Sequence, residues 1–114
     1  RPIYAQIVDR LKHEIVSGFY PPGSRLPSVR DLAAQASVNP NTMQKAFTEL
    51  ERTGLIVTRR TSGRMVTEDT ALIEQVRSEL AELQISQFLT RMQHLGYQKD
   101  DSIRLLLAKK EEIS

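Results

Sequence analysis

Five polar residues between positions 39 and 45 are of types that bind nucleic-acid bases and phosphates. An Asn or Gln side chain can form two hydrogen bonds to an adenine, and a Lys can reach a guanine or a phosphate. On a helix, Asn41, Gln44 and Lys45 would share one outer side, because residues three and four apart are neighbours. Asn39 and Thr42 would lie at the helix start, which favours a phosphate. Asn39 is equally well explained as a helix cap, and Thr42 as part of the first turn.

Basic residues add to this polar cluster at two other places. Arg30 lies near the start of the preceding helical segment, where it could contact a sugar-phosphate backbone, pair with Asp31 or be an ordinary solvated arginine. Three arginines surround a turn: Arg59, Arg60 and Arg64. Arginine can grip phosphates or enter a narrow minor groove, and Gly63 would let the backbone approach a phosphate or simply form the turn. Between positions 25 and 64, bases outnumber acids seven to three, which favours a polyanionic partner.

Two helix start signals position these residues. Ser28 can cap one helix, with Asp31 completing a capping box, and Asn39 can cap the next, with Pro40 at its first position. Only residues 36–38 separate the two segments, which predicts a helix-turn-helix. The second helix has a predicted inner face and ends at a glycine: Met43, Ala46, Phe47, Leu50 and Gly54.

The flanking segments predict a winged helix that spans residues 1–69. Apolar residues at helical spacing indicate a first helix over about residues 3–17, followed by Gly18 as its C-cap. Its predicted apolar face consists of Tyr4, Ile7, Val8, Leu11 and Ile15. Residues 55–58 form a β-branched run and residues 65–67 a second short strand, with a basic tip at 59–64. A helix-turn-helix followed by such a hairpin is a winged helix, with the hairpin as its wing.

Residues 70–114 predict a short all-α tail, so the fold class is α+β and mostly helical. A long helix from about residue 71 to 95 carries two apolar stripes on nearly opposite sides, and a last helix covers about residues 99–112. Two helices alone cannot bury both stripes, which favours homodimerisation over folding back onto the winged helix. The predicted dimerisation residues are Leu72, Val76, Leu80, Leu83, Phe88, Leu89, Met92, Ile103, Leu106 and Leu107.

Composition excludes several functional classes. The 114 residues include no cysteine, and no apolar run approaches the length of a membrane span. His13 and His94 are isolated, Asp100 and Asp101 fit a helix start, and no nucleophile, glycine-rich phosphate loop or metal pair is present. We therefore expect no enzymatic activity, no cofactor and no metal, and a cytoplasmic location. Residues 1–67 carry ten bases and five acids (net +5), whereas residues 68–114 carry six and nine (net −3).

The order and spacing of four patterns resemble the GntR family of bacterial transcription regulators. They are Ile3-Tyr4-x-Gln6-Ile7, Pro22-Gly23 leading to Leu26-Pro27-Ser28-x-Arg30-x-Leu32-Ala33, Val38-Asn39-x-Asn41-Thr42, and Leu50-Glu51 leading to Gly54-Leu55-Ile56. The third pattern, the short tail and Leu95-Gly96-Tyr97 are similar to the YtrA-like subfamily. This resemblance implies a homodimeric winged-helix repressor, often of transporter operons.

The same resemblance implies DNA contacts by Arg30, Gly63 and the polar start of the recognition helix at 39–42. Two positions depart from the family pattern. Thr61 replaces the first glycine of the wing, so the wing tip is expected to be stiffer or differently turned. Gln44 stands where an arginine is common, which predicts a different base preference.

The leading functional prediction is a sequence-specific regulator that binds double-stranded DNA as a dimer. Two-fold symmetry predicts a palindromic operator with half-sites about one helical turn apart. The alternative is a winged-helix module that binds a protein partner without sequence-specific DNA binding. An unknown small-molecule effector where the tail meets the winged helix is a further hypothesis, because an element that contacts two partners can bias their relative pose.

Overall fold

The computed structural model describes residues 1–113 and contains five helices and one two-stranded sheet within that range. The helices are α1 (Ile3–Val16), α2 (Val29–Ala36), α3 (Pro40–Thr53), α4 (Thr70–His94) and α5 (Lys99–Ile113), and the strands are β1 (Ile56–Arg59) and β2 (Gly63–Val66). The chain divides into two compact units, Arg1–Arg77 and a second that begins at Ser78. The first unit is a winged helix-turn-helix, which confirms the predicted α+β fold class.

The side-chain caps predicted for α2 and α3 are present, but of the capping box predicted for α2 the hydrogen bonds of the described residues include only the half in which Ser28 accepts. The Ser28 hydroxyl accepts a hydrogen bond from the backbone N–H of Asp31 at 3.0 Å, and the Asn39 side chain accepts one from Asn41 N–H at 2.7 Å. Pro40 occupies the first turn of α3, where its missing N–H leaves no bond unmade. Gly54 ends α3 with a φ of +87°, a conformation that favours glycine. Local sequence signals therefore account for the start of α2 and for both ends of α3.

We expect Asn39→Ala to destabilise the protein by about 1 kcal/mol, because the N–H of Asn41 would lose its side-chain acceptor. The midpoint of urea unfolding measures this change. Asn41→Ala is the matched control, since Asn41 is exposed and uses its backbone rather than its side chain in the cap. Equal midpoints for the two variants would contradict a capping role for the Asn39 side chain.

The wing strands reach further toward the tip than the sequence predicts. Residues Ile56–Arg59 pair antiparallel with Gly63–Val66. The tip therefore consists of residues 60–62, whereas the sequence predicts a tip over residues 59–64. The β-branched run indicated only the inner part of the hairpin, whereas cross-strand pairing extends it to Arg59 and Gly63. The segment before α2 adds an isolated bridge between Arg25 and Met65 and a bond from Leu26 N–H to Arg64 O at 2.9 Å. The second strand is therefore paired on both sides.

The core of the first unit lies between α1, α2, α3 and the base of the wing. The predicted inner face of α3 is buried, as are four of the five residues predicted for the face of α1. Tyr4 is the exception, because its half-buried ring lies beneath a lysine of α3. The side chains with at most 1% exposure include Ile15, Phe47, Leu50, Leu55, Ile56 and Val66.

The start of α4 contributes to the first unit. Ile73 is buried, and the Arg77 guanidinium donates two hydrogen bonds, at 3.0 and 3.1 Å, to the carbonyl oxygen of Val16. Among the described residues of the second unit, apolar side chains of α4, α5 and the turn between them remain about half or more exposed: Leu83, Ile85, Leu95, Ile103, Leu106 and Leu107. Within residues 1–113, none of the helices combines the length and apolarity needed to span a membrane.

Candidate nucleic-acid interface

The first two turns of α3 present polar side chains outward. Asn41, Gln44 and Lys45 are exposed, while Met43 on the opposite side is 2% exposed. The Lys45 amine lies 4.1 Å from the centroid of the Tyr4 ring, so a cation–π contact orients this charge at the start of α1. Asn39 and Thr42 lie at the N-terminus of α3, where the amide oxygen of Asn39 already accepts the capping bond.

Gln44 is hydrogen-bonded on both ends of its side-chain amide. Its Nε2 donates to Thr48 Oγ1 at 3.3 Å, and its Oε1 accepts from Arg64 Nη2 at 3.3 Å. The Thr48 hydroxyl in turn donates to the backbone oxygen of Gln44 at 3.0 Å. The amide is therefore tied to α3 on one side and to β2 on the other.

Arg64 faces α3 rather than the tip of the wing, where the sequence placed it beside Arg59 and Arg60. Its Nε donates to Glu51 Oε1 at 3.0 Å, and its guanidinium carbon lies 5.3 Å from the centroid of the Phe47 ring. Glu51 also accepts a hydrogen bond from Thr58 Oγ1 of β1 at 2.9 Å. One carboxylate of α3 thus holds both strands of the wing.

The tip of the wing retains two exposed arginines, Arg59 and Arg60, and neither forms an ion pair with any described residue. Gly63 has a φ of +77°, so the turn itself requires a glycine here. Arg25 is also exposed, and its Nε lies 3.7 Å from the position that a Cβ of Gly63 would occupy. Sequence reasoning counted Arg25 only as a charge and missed it as a member of the wing surface, because the pairing of its segment with β2 has no local signal.

The remaining basic candidates differ in their surroundings. Arg30, the second residue of α2, is exposed and forms no ion pair within residues 1–113. Arg52, near the end of α3, is instead paired with Glu49. A hydrogen bond from Arg52 holds the pKa of Glu49 below its ordinary value, and the same bond raises the pKa of Arg52. Among the described residues, the cations of this surface that lack an ion pair are therefore Arg25, Arg30, Lys45, Arg59 and Arg60.

These side chains all belong to one unit that combines a polar recognition helix with a basic wing. A helix of this kind fits the major groove, and exposed arginines beside it fit phosphates or the minor groove. The fold and the surface thus define a winged helix-turn-helix module of the class found in DNA-binding transcription regulators. The family model described as "Bacterial regulatory proteins, gntR family" matches residues 3–66. The chain belongs to the GntR family, as the sequence patterns predicted.

Individual relatives agree with this assignment. The chain is 40% identical over 97 residues to the HTH-type transcriptional repressor YtrA of Bacillus subtilis. The matched region covers 83% of this chain and 74% of that protein. A GntR family transcriptional regulator from Listeria monocytogenes superposes with a TM-score of 0.83 at 39% identity, covering 100% of this chain and 96% of that chain. The DNA-binding domain of AraR in complex with operator ORR3 superposes with a TM-score of 0.55 at 29% identity, covering 58% and 80%. Since the relatives are regulators, the prediction that the chain is not an enzyme is confirmed.

Proposed function

We propose that this transcription regulator is a homodimeric repressor that binds a palindromic operator. In this proposal α3 lies in the major groove, with Asn41, Gln44 and Lys45 toward the base edges. The DNA interface also includes Arg30, Asn39, Thr42, Arg59, Arg60 and Gly63, and Arg64 takes part in it through its hydrogen bond to Gln44. The observation that carries the proposal is the start of α3, where exposed base-reading side chains follow a capped helix terminus.

Phosphate contact is proposed for the arginines that lack an intramolecular partner. Arg30 at the start of α2 and Arg59 and Arg60 at the wing tip are exposed and carry no ion pair with a described residue, so binding a phosphate would break no existing pair. Arg25 joins this set because it lies beside the turn of the wing. Neutralised phosphates release counterions, which makes binding weaken as salt rises.

The C-terminal helices are proposed as the dimerisation surface. Ile103, Leu106 and Leu107 are spaced as one side of α5 and are each at least half exposed, so their apolar area is available to a second copy of the chain. Burial of a leucine contributes about 1.5–3 kcal/mol, and in a two-fold dimer each residue contributes twice. The AraR domain bound to its operator and the name of the YtrA repressor support the operator and the repressor role.

Three finer parts of the proposal remain predictions. Control of a transporter operon and the cytoplasmic location follow from the family resemblance and from the proposed binding of DNA. Release by a small-molecule effector follows from the two apolar stripes of α4. Within the second unit, a half-open cavity of about 420 Å³ lies between the end of α4 and the start of α5, lined by residues that include Leu89, Tyr97 and Lys99. It is the first place in that unit to test for a ligand.

The proposal is tested by selecting binding sequences from random duplex DNA with the purified protein. We expect an enriched palindrome with half-sites about one helical turn apart. Lys45→Ala and Arg30→Ala are expected to weaken binding to that palindrome. If both variants bind the selected DNA as well as the parent protein does, the proposed interface is wrong. Failure to retain DNA at low or high salt would favour the protein-interaction alternative.

We expect the double variant Arg59→Ala/Arg60→Ala to weaken binding to all DNA sequences to a similar degree. Each lost phosphate contact should reduce the slope of log affinity against log salt by about 0.9. Binding isotherms at four salt concentrations measure that slope. Arg91→Ala is the matched control, because Arg91 is an exposed arginine of α4 outside the proposed interface. An unchanged slope in the double variant would remove the wing tip from the set of phosphate contacts.

A further inference from the structure

Four side chains form a hydrogen-bonded chain that runs from the recognition helix to the wing. Glu51 accepts from Arg64 at 3.0 Å, Arg64 donates to Gln44 at 3.3 Å, and Gln44 donates to Thr48 at 3.3 Å. This chain of bonds therefore links a proposed base-reading residue of α3 to the second strand of the wing.

The chemistry of the two neighbours allows only one orientation of the Gln44 amide. A guanidinium has donors and no acceptor, so the amide atom facing Arg64 must be the oxygen. The Thr48 hydroxyl hydrogen is directed to the backbone oxygen of Gln44, so Thr48 Oγ1 accepts from the amide nitrogen. Each end of the amide keeps one further site, a lone pair on Oε1 and a hydrogen on Nε2. These two sites match N6 and N7 of an adenine.

Arg64 is itself held in place. Its side chain is 28% exposed, its guanidinium lies over the Phe47 ring, and its partner Glu51 is 31% exposed. Val66, two residues further along β2, is completely buried, so Arg64 shares the inner face of the strand and faces α3. An arginine fixed in this way is not free to extend from the wing toward a phosphate.

We propose that Arg64 is a positioning residue that determines specificity: held by Glu51, it fixes the amide of Gln44 for reading an adenine. This inference rests on the proposed function, in which α3 lies in the major groove. An amide that is already oriented loses less side-chain freedom on binding, so the correct base gains affinity. Arg64 therefore acts through Gln44 rather than by touching the DNA.

A substitution of Glu51 distinguishes the proposed positioning role from a purely electrostatic effect. A carboxylate beside a DNA surface repels phosphates, so charge alone predicts that Glu51→Gln binds every sequence more tightly. The positioning role predicts instead that Glu51→Gln loses preference at the base pair read by Gln44, because a neutral amide holds the guanidinium less firmly than a carboxylate does.

The test compares sequence selections for the parent protein, Gln44→Ala, Arg64→Lys and Glu51→Gln. We expect Gln44→Ala to lose about tenfold discrimination at one base pair of each half-site. Arg64→Lys, which keeps the charge but cannot bond Glu51 and Gln44 in the same way, should lose preference at that same base pair. The double variant Gln44→Ala/Arg64→Lys should lose no more than Gln44→Ala alone. Arg52→Lys is the control, since it disturbs an Arg–Glu pair of α3 that does not involve Gln44.

The possible outcomes separate this inference from the proposed function. Absence of any enriched sequence with the parent protein would overturn the proposed function, and the inference with it. An enriched palindrome whose preferences survive Arg64→Lys and Glu51→Gln would overturn the inference alone, as would an unchanged preference in Gln44→Ala. If Arg64→Ala weakens all sequences equally and reduces the salt slope, Arg64 is a phosphate contact instead. Thermal unfolding checks each variant, and Glu51→Gln decides the question if Arg64→Lys does not fold.

Discussion

Replacing Phe47 with alanine is expected to destabilise the winged helix by about 3–5 kcal/mol. Phe47 is completely buried on the inner face of α3, and its ring also lies beneath the Arg64 guanidinium. The substitution would leave a cavity where α3 meets its neighbours and would remove the support for Arg64. A unit of this size has a total stability of roughly 4–12 kcal/mol at the usual value per residue, so Phe47→Ala is expected to unfold at a much lower urea concentration.

Urea unfolding, monitored by circular dichroism, measures this loss of stability. Phe19→Ala is the matched control, because Phe19 is 67% exposed and its ring has an edge contact with Tyr20, at 4.9 Å between ring centroids. Its removal should cost no more than about 1 kcal/mol. If the two alanine variants unfold at similar urea concentrations, the core of this unit is not centred on α3.

The helix-turn-helix could be predicted from the sequence because its signals are local. A capping side chain, a proline at the first helical position and a glycine at the end each act within a few residues, so Asn39, Pro40 and Gly54 mark the bounds of α3 without knowledge of the rest of the chain. The inner face followed from helical spacing alone. The residues on the opposite side of the helix are then exposed, so the polar residues of the outer face could also be predicted.

The position of Arg64 is predictable from the pattern of its strand, even though three arginines around a turn indicate the wing tip. Side chains alternate between the two faces of a strand, and Val66 is an apolar residue of β2 that must face the core. Arg64 is two residues away and therefore lies on the same face, as does its cross-strand partner Thr58. The grouping of three arginines around a turn does not take this alternation into account. Because the inner face of β2 lies beside α3, an arginine on that face is close to Glu51, which explains their ion pair.

Two other features have no signal along the chain. The bridge between Arg25 and Met65 joins residues forty positions apart, and the segment around Arg25 lacks the pattern of a strand. The apolar stripes of α4 and α5 indicate that a partner is needed, but a stripe does not specify its partner. In the described part of the chain, Leu83, Ile85 and Ile103 remain at least half exposed, and their spacing does not identify what would cover them.

Leu106→Asp is expected to convert a dimer into a monomer and to reduce operator affinity by about 100-fold or more. Leu106 is 50% exposed and lies with Ile103 and Leu107 on one side of α5. In a two-fold dimer the substitution would place two carboxylates in an apolar contact, where each would lose hydration without gaining a partner. A monomer engages one half-site at a time, so the second half-site no longer adds to the affinity. Sedimentation and operator titration measure the two effects separately.

Leu105→Asp provides the control for this prediction. Leu105 is 45% exposed and lies on nearly the opposite side of α5, so the same charge is added to the same helix outside the proposed contact. We expect it to remain a dimer with close to the parent affinity. A monomeric Leu106→Asp that binds a full palindrome as tightly as the parent would show that dimerisation does not drive operator binding. If the Leu106→Asp variant is a dimer and the Leu105→Asp variant is a monomer, the interface lies on the other side of α5. Only the side that is buried in the dimer is sensitive to a new charge.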